Sequence, residues 1–161
     1  NKDQNLQSAM VSSVNWYFQA LDRQLGRKSL QSYIQSIGYG NKNLSGALSS
    51  YWMESSLKIS PVEQVELLTA LYQNELPFTP EHIQAVKDAL FLSSSASGSL
   101  YGKTGTGAVN NLDVNGWFVG FVETENRTCF FATNISAEDT ATGSNAAKIT
   151  LSILSALAVW K

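Results

Sequence analysis

One change of apolar rhythm constrains this chain more than any other feature of it. Through residues 6–90 the apolar side chains recur every three or four positions. Between residues 100 and 135 they fall instead in short aromatic and β-branched runs, and after residue 144 the helical spacing returns. A strand turns successive side chains to opposite faces, so a helical stripe laid onto a strand would turn much of its apolar surface to water. The order is therefore helices, then a meander of strands, then a closing helix. That is an α/β (α+β) arrangement with a helical lobe and a sheet lobe, and the groove between such lobes favours a ligand. With 161 residues, 43% of them hydrophobic and 15% charged, the chain can bury a core and fits one domain or a large part of one.

The helical half divides at its caps and breakers. Leu6, Met10, Val14, Tyr17, Leu21 and Leu25 mark one face of a helix or of two short ones. Leu30, Tyr33, Ile34 and Ile37 mark another, ending at Gly38, with Gly26 expected as a stop and Ser29 as a candidate cap between them. In "SPVEQVELLTALY", Ser60, Pro61 and Glu63 form a capping box ahead of an apolar stripe. Thr79 and Pro80 repeat that start, with Ile83, Val86 and Leu90 on one face. "SSSASGS" at 93–99 reads as a loop. "LYGKTGT", "GWFVGFVE" and "RTCFFATNI" read as consecutive antiparallel strands, separated by the turn-like stretches "NNLDVN" and "TEN". In the tail from Ser144 to Lys161, Ala147, Leu151, Leu154 and Leu157 or Ala158 are expected inward against the sheet.

Charge and composition exclude several functions. A net charge of −2 and a pI near 5.3 leave no basic surplus for nucleic acid, and the cationic cluster from Arg23 to Lys28 is interrupted by apolar residues. No apolar run approaches the roughly 20 residues that span a bilayer, and the polar start "NKDQNLQ" is neither a signal peptide nor an anchor, so the chain is expected to be soluble. Cys129 has no partner for a disulfide and reads as a small core residue on a strand. His82 is the sole histidine, so neither a metal site nor a histidine-based triad is expected.

"YGKTGTGAV", residues 101–109, packs a lysine, two threonines and three glycines onto the first strand of the meander. The Walker phosphate loop has its glycines before the lysine and a helix after it; here the lysine comes first and strands follow. Lys-Thr-Gly alone is a weak motif, equally compatible with a solvated strand lysine. It does not stand alone. "SSVNWYF" precedes it, with Ser13 and Asn15; "YGN" stands at 39–41, "YWMESSLKIS" at 51–60, and "NGWFVGFVE" follows. In this order and spacing the chain resembles the penicillin-recognising serine acyl-transfer family, above all class D β-lactamases and the extracellular sensor domains of BlaR/MecR-type receptors. The resemblance runs through essentially all 161 residues.

The resemblance implies a β-lactamase/transpeptidase-like fold, with a helical lobe on an antiparallel sheet and a C-terminal helix. It also implies that residues 1–161 are the C-terminal part of a single domain. The family nucleophile lies in a Ser-x-x-Lys tetrad upstream of Ser13, and no such tetrad precedes Ser13 here. "SSLK", Ser55 to Lys58, has the letters, but it lies in the segment that the family places after YGN and is not taken as the nucleophilic pair. The chain alone is therefore expected to be inactive, with the N-terminal part of the domain as its first partner. By resemblance, Ser13 and Lys103 are the catalytic residues present. Ser13 relays a proton to the departing nitrogen, and its competing reading is a helix-capping serine. Lys103 supplies positive charge for the ligand carboxylate and the neighbouring serine.

Thr104 and Thr106 donate hydroxyl hydrogen bonds to that carboxylate, and the Thr106 N–H forms half of an oxyanion hole. Gly105 allows close approach to the strand, and Asn15 meets the ligand's amide side chain. Trp52 matches the tryptophan whose indole N–H holds a carbamylated lysine, expected in the missing segment; otherwise it is a core aromatic with a polar handle. Tyr39, Gly40 and Asn41 read as a turn. No other cofactor and no metal are implied.

Two functions fit. In an enzyme, water hydrolyses the acyl-serine. In a sensor the ester persists and reports β-lactam antibiotics to an attached membrane protease domain. Asn15 leans toward the sensor, because class D enzymes usually carry a hydrophobic residue there. The region after "FFATN" also lacks the arginine that many class D enzymes turn to the substrate carboxylate. Either function places the domain at the extracellular face of a bacterial membrane, or secreted or periplasmic.

Overall fold

The computed structural model describes residues 3–161; Asn1 and Lys2, the first residues of the polar start, lie outside them. Helix α1, Leu6–Val11, is closed at its start by Asn5, whose side chain accepts from the Ser8 N–H at 2.8 Å while the Ser8 hydroxyl accepts from the Asn5 N–H at 3.0 Å. The apolar stripe of residues 6–25 is cut at Ser12–Val14, so it serves two helices rather than one. Helix α2, Asn15–Ser36, is two helical segments that meet at Gly26, the position expected to stop the first: it takes φ 73° and ψ 157°, a non-helical conformation that the absent Cβ permits, and helix resumes at the next residue. Ser29 lies inside the second segment and does not cap it.

Helix α3, Pro61–Tyr72, has the capping box read from the sequence: the Glu63 N–H donates to the Ser60 hydroxyl at 3.2 Å, and the Ser60 N–H to the Glu63 carboxylate at 2.8 Å. Helix α4, Pro80–Leu90, starts on Thr79 and buries Ile83 and Leu90 on one face.

Strands β1 (Phe91–Ser95), β2 (Gly98–Val109), β3 (Leu112–Glu123) and β4 (Thr128–Ser136) form one antiparallel sheet in the order β1-β2-β3-β4. The serine-rich stretch at 93–99 is not a loop but the hairpin that joins β1 to β2, pairing Ser95 with Gly98. Every residue of β1 is exposed, so no alternation of apolar and polar side chains marked it. The three expected strands are present and consecutive. The turn between β2 and β3 shrinks to Asn110 and Asn111, both left-handed at φ 52° and 64°, which matches the twist of a two-residue hairpin.

The two faces of the sheet carry different neighbours. On one face Leu100 and Val122 pack against Leu154 and Val159, with Phe131, Leu151 and Cys129 around them. This face is covered by helix α5, Gly143–Ala156, which buries Ala146, Thr150 and Leu154. Leu157 does not continue that stripe: it is the C-cap, 64% exposed, and Ala158 turns left-handed at φ 53°, which breaks the helical spacing. On the opposite face Tyr101 stacks on Phe121 at 4.6 Å, and Phe121 meets the edge of Tyr72 from α3 at 5.3 Å. The Tyr72 hydroxyl donates to Glu123 of β3 and accepts from Thr128 of β4.

A second cluster, Leu30, Leu44 and Tyr51 with Ile34, Leu48, Trp52 and Leu57, fills the helical lobe. Phe121, fully buried, is the innermost of the sheet residues that Tyr72 of α3 packs against, beside Phe130 of β4. Phe121→Ala is expected to lower the unfolding free energy by about 3–5 kcal/mol in urea melts; a loss below about 1 kcal/mol, the range of a surface change, would show that the Tyr72 contacts hold the interface without it.

Candidate functional site

Strand β2 presents the lysine because of the two-residue period. Tyr101, Lys103, Gly105 and Gly107 share the face on which Tyr101 stacks on Phe121, toward the helical side; Gly102, Thr104 and Thr106 share the other. Lys103 is half-buried, and burial holds its ammonium below the usual lysine range. Its Nζ donates to the Thr104 carbonyl at 2.9 Å. Thr104, Gly105 and Thr106 are exposed, so a ligand laid along this stretch reaches hydroxyls and backbone together.

The start of α5 crosses this strand. Thr106 Oγ1 accepts the Gly143 N–H at 2.9 Å, which leaves the hydroxyl proton to be donated elsewhere. A Cβ on Gly143 would stand 2.6 Å from the Gly105 carbonyl oxygen and 3.0 Å from the Thr104 Cβ. Gly143 is thus what lets α5 begin against the Lys-Thr-Gly backbone. Sequence reading passed over it, and its sole sequence signal was a glycine after Thr142 at a helix start.

Ser13 and Asn15 sit at the corner between α1 and α2, both exposed. Ser13 does not cap α2: the N-cap is Val14, with no side-chain hydrogen bond, and Ser13 itself is left-handed at φ 52°. A non-glycine residue held there stores strain, a feature that gathers at functional turns. Among the described residues the Ser13 hydroxyl makes no hydrogen bond, and none joins it to Lys103. The structure brings Lys103, Thr104, Gly105 and Thr106 together on β2, leaves Ser13 and Asn15 at their own corner, and puts Trp52 elsewhere in the helical lobe. Tyr39, Gly40 and Asn41 form a turn as read: Asn41 Oδ1 accepts from the Asn43 and Lys58 N–H groups, and Gly40 takes φ 44° against the Lys58 backbone.

Trp52 is half-buried and gives its indole N–H to Asp22 of α2 at 3.2 Å; the Tyr51 hydroxyl donates to the same carboxylate at 3.4 Å. Asp22 is 8% exposed. Sequence reading missed it, because a lone aspartate in a polar helix carries no signal of burial. Desolvation raises its carboxyl above the usual range, outweighing Trp52, Tyr51 and Arg23, which all favour the charged form. Burial and the same carboxylate push the Tyr51 phenol up to about 12. Among the described residues no His, Cys, Asp and Glu group could hold a metal ion.

The raised Asp22 carboxyl makes the folded chain bind that proton more tightly than the unfolded chain does. Stability is therefore fullest below the ordinary aspartate pKa and is lost as pH rises through the raised folded value. Thermal melts against pH should show this decline in the wild type and its disappearance in Asp22→Asn. Parallel curves for the two would mean that the carboxyl titrates as in the unfolded chain.

Comparison with known proteins bears on this arrangement. The family model of the penicillin-binding protein transpeptidase domain matches residues 1–155. The regulatory protein BlaR1 of Bacillus licheniformis is 50% identical over 154 residues, which is 96% of this chain and 26% of that protein. The C-terminal domain of the Bacillus licheniformis BlaR penicillin-receptor superposes with a TM-score of 0.94 at 48% identity, over 100% of this chain and 65% of that one. A class D β-lactamase from Bacillus subtilis gives 0.92 at 37% identity, over 100% of this chain and 65% of that one. The chain thus spans about a quarter of the curated relative and slightly under two thirds of each solved chain. Among the described residues no helix is long and apolar enough to cross a membrane.

Proposed function

Since the chain belongs to the penicillin-binding protein transpeptidase domain family, we propose that residues 1–161 are the C-terminal part of one domain that recognises β-lactams by acylation of a serine, and that this domain is an antibiotic sensor. The observation that carries β-lactam recognition is the half-buried, desolvated Lys103 on β2, followed by an exposed Thr104-Gly105-Thr106 stretch. A penicillin carries a carboxylate beside a strained amide. With the ligand lying along the edge of β2 beyond Tyr101, which β1 leaves unpaired, the ammonium of Lys103 meets that carboxylate from one face and the Thr104 and Thr106 hydroxyls donate to it from the other. The nucleophile is a serine of the segment N-terminal to this chain. When it attacks the lactam carbonyl, losing its proton to a base of its own segment, the C–O bond forms and negative charge grows on oxygen, where the Thr106 N–H is one donor; the C–N bond then breaks as the carbonyl re-forms. The departing nitrogen takes a proton through the Ser13 hydroxyl. Gly105 keeps the strand open to the ligand.

Asn15 favours the sensor over the hydrolase. It opens α2 two residues after Ser13, exposed, and supplies a hydrogen-bonding amide where class D enzymes usually place an apolar side chain. The carbamylated lysine expected of a class D hydrolase would supply the base that activates water. An amide at Asn15 disfavours that carbamate, which weakens deacylation and leaves the ester standing. The higher identity to the receptor than to the β-lactamase agrees with this reading. A receptor of this kind works beside a membrane protease domain, at the outer face of a bacterial membrane.

Intact mass spectrometry of the complete domain after one equivalent of penicillin should show an adduct that persists for hours. Disappearance of the adduct within seconds, with hydrolysed product, would make the hydrolase the better reading. Lys103→Ala should slow acylation by at least about 100-fold, the scale of a lost acid–base or oxyanion contribution. Stopped-flow mixing decides it, and an unchanged rate would return Lys103 to the solvated-strand reading.

A further inference from the structure

Between the turn at Tyr39–Asn41 and helix α3, the chain crosses from the helical lobe to the sheet, and one side chain makes that crossing. Glu54 lies two residues after Trp52, left-handed at φ 42°. Its Oε1 accepts from the Asn115 amide of β3 at 2.8 Å, and its Oε2 lies 3.6 Å from Lys58 Nζ. Gly107 of β2, paired with Asn115, faces it, and a Cβ there would overlap the Glu54 carboxylate. The Asn115 side-chain oxygen, Oδ1, in turn accepts from the Asn134 amide of β4 at 2.6 Å, and the same Asn134 amide donates to the Gly116 carbonyl at 3.2 Å. One carboxylate thereby joins the Trp52 segment to three strands. Its landing point is at a bulge: the β2–β3 register shifts between Gly107 and Ala108, directly past the Lys103–Thr106 stretch.

A bulge lets a strand bend; α5 holds Thr106 from one face through the Gly143 N–H, and the opposite face needs a restraint of its own. Gly107 sits on the same face of β2 as Lys103, so whatever presses on it bears on the face that carries the lysine. Asn115 alone does not supply this restraint, because it belongs to the same hairpin and moves with it. Glu54 comes from outside the hairpin, 61 residues from Asn115 in sequence, and is only 24% exposed at its side chain.

We propose that Glu54 is a positioning residue for acylation: seated in the space that Gly107 leaves and held by Asn115, it fixes the far end of the Lys103–Thr106 strand against the segment that carries Trp52. The proposal rests on the β-lactam reading above for its effect on acylation, and on the described geometry alone for its effect on the strand. Glu54 does not touch the reacting atoms. What it supplies is the position of the Thr106 N–H and hydroxyl when the ligand arrives, and small displacements of such donors are felt strongly in rate.

The test uses the complete domain and three variants. Glu54→Ala removes the restraint, Glu54→Gln keeps its shape and an oxygen acceptor for Asn115, and Gly107→Ala expels the carboxylate while keeping its charge. Two readouts are taken: hydrogen exchange of the peptide spanning 101–109, and stopped-flow acylation by a fluorescent penicillin, separated into non-covalent affinity and acylation rate. Glu54→Ala and Gly107→Ala should both speed exchange in that peptide and lower the acylation rate at least about tenfold, with affinity changed less, whereas Glu54→Gln should stay within about threefold of wild type.

Exchange unchanged in Glu54→Ala, or acylation within about twofold of wild type, overturns the proposal. So does a Glu54→Gln variant as slow as Glu54→Ala, which would assign the effect to charge. Should Glu54→Ala not fold, Gly107→Ala against Glu54→Gln gives the same decision. A wild-type domain that takes no penicillin label sinks the β-lactam reading and with it the acylation half, while the exchange comparison still decides whether Glu54 holds the strand.

Discussion

The pairing of β2 with β3 is the constraint on which the rest of this structure depends. Its register runs unbroken from Ser99 opposite Glu123 to Gly107 opposite Asn115, and the left-handed Asn110–Asn111 turn closes it. A slip of β2 by one residue along β3 would exchange the faces of every side chain on β2. Lys103 would then point at α5, and Thr104 at the helical lobe. The same register puts Leu100 beside Val122 under α5 and Tyr101 beside Phe121 under Tyr72, so the two cores and the Lys-Thr-Gly stretch are set by one ladder. Glycines make the close approaches possible. Gly120 passes the Tyr101 backbone, and Gly143 passes Gly105, each with no room for a side chain.

Of two further polar ties, one connects the helical part to that ladder and the other holds the helical lobe together. Tyr72 gives its hydroxyl to Glu123 and receives one from Thr128, while Lys87 of α4 lies over its ring at 4.3 Å. Asp22 gathers Tyr51 and Trp52 onto α2. Tyr72, Tyr51 and Trp52 are aromatic residues whose rings are packed and whose polar tips are satisfied, which lets a contact be apolar and directional together. Among the described residues no buried side-chain polar atom lacks a partner.

Local chemistry was legible in the sequence, and long-range chemistry was not. Ser60, Pro61 and Glu63 announce α3 because all the bonds of a capping box lie within three residues. The aromatic runs announce β2, β3 and β4 because their side chains must be buried by something. Lys103 and its threonines were visible as a motif. Strand β1 was hidden, since "FLSSS" exposes every residue and its strand character comes wholly from backbone pairing. Gly26 was readable as a break, because a glycine between two apolar stripes can take the left-handed backbone that parts α2 into two segments. Asp22, Glu54 and Gly143 owe their roles to partners 30, 61 and 37 residues away, and no local pattern carries such a distance.

The strand that the sequence hid also closes the molecule on one side. The outer edge of β1 offers unpaired backbone groups to water, and a long, flat, apolar edge of that kind invites a strand from another copy. This one is five residues long, ends in three serines and is bulged between Phe91 and Ser93. Brevity, hydroxyls and a local twist are features that discourage sheets from adding strands end on end. The same serines that denied β1 a recognisable pattern thus act in colloidal behaviour, by making the sheet's border a poor template for aggregation.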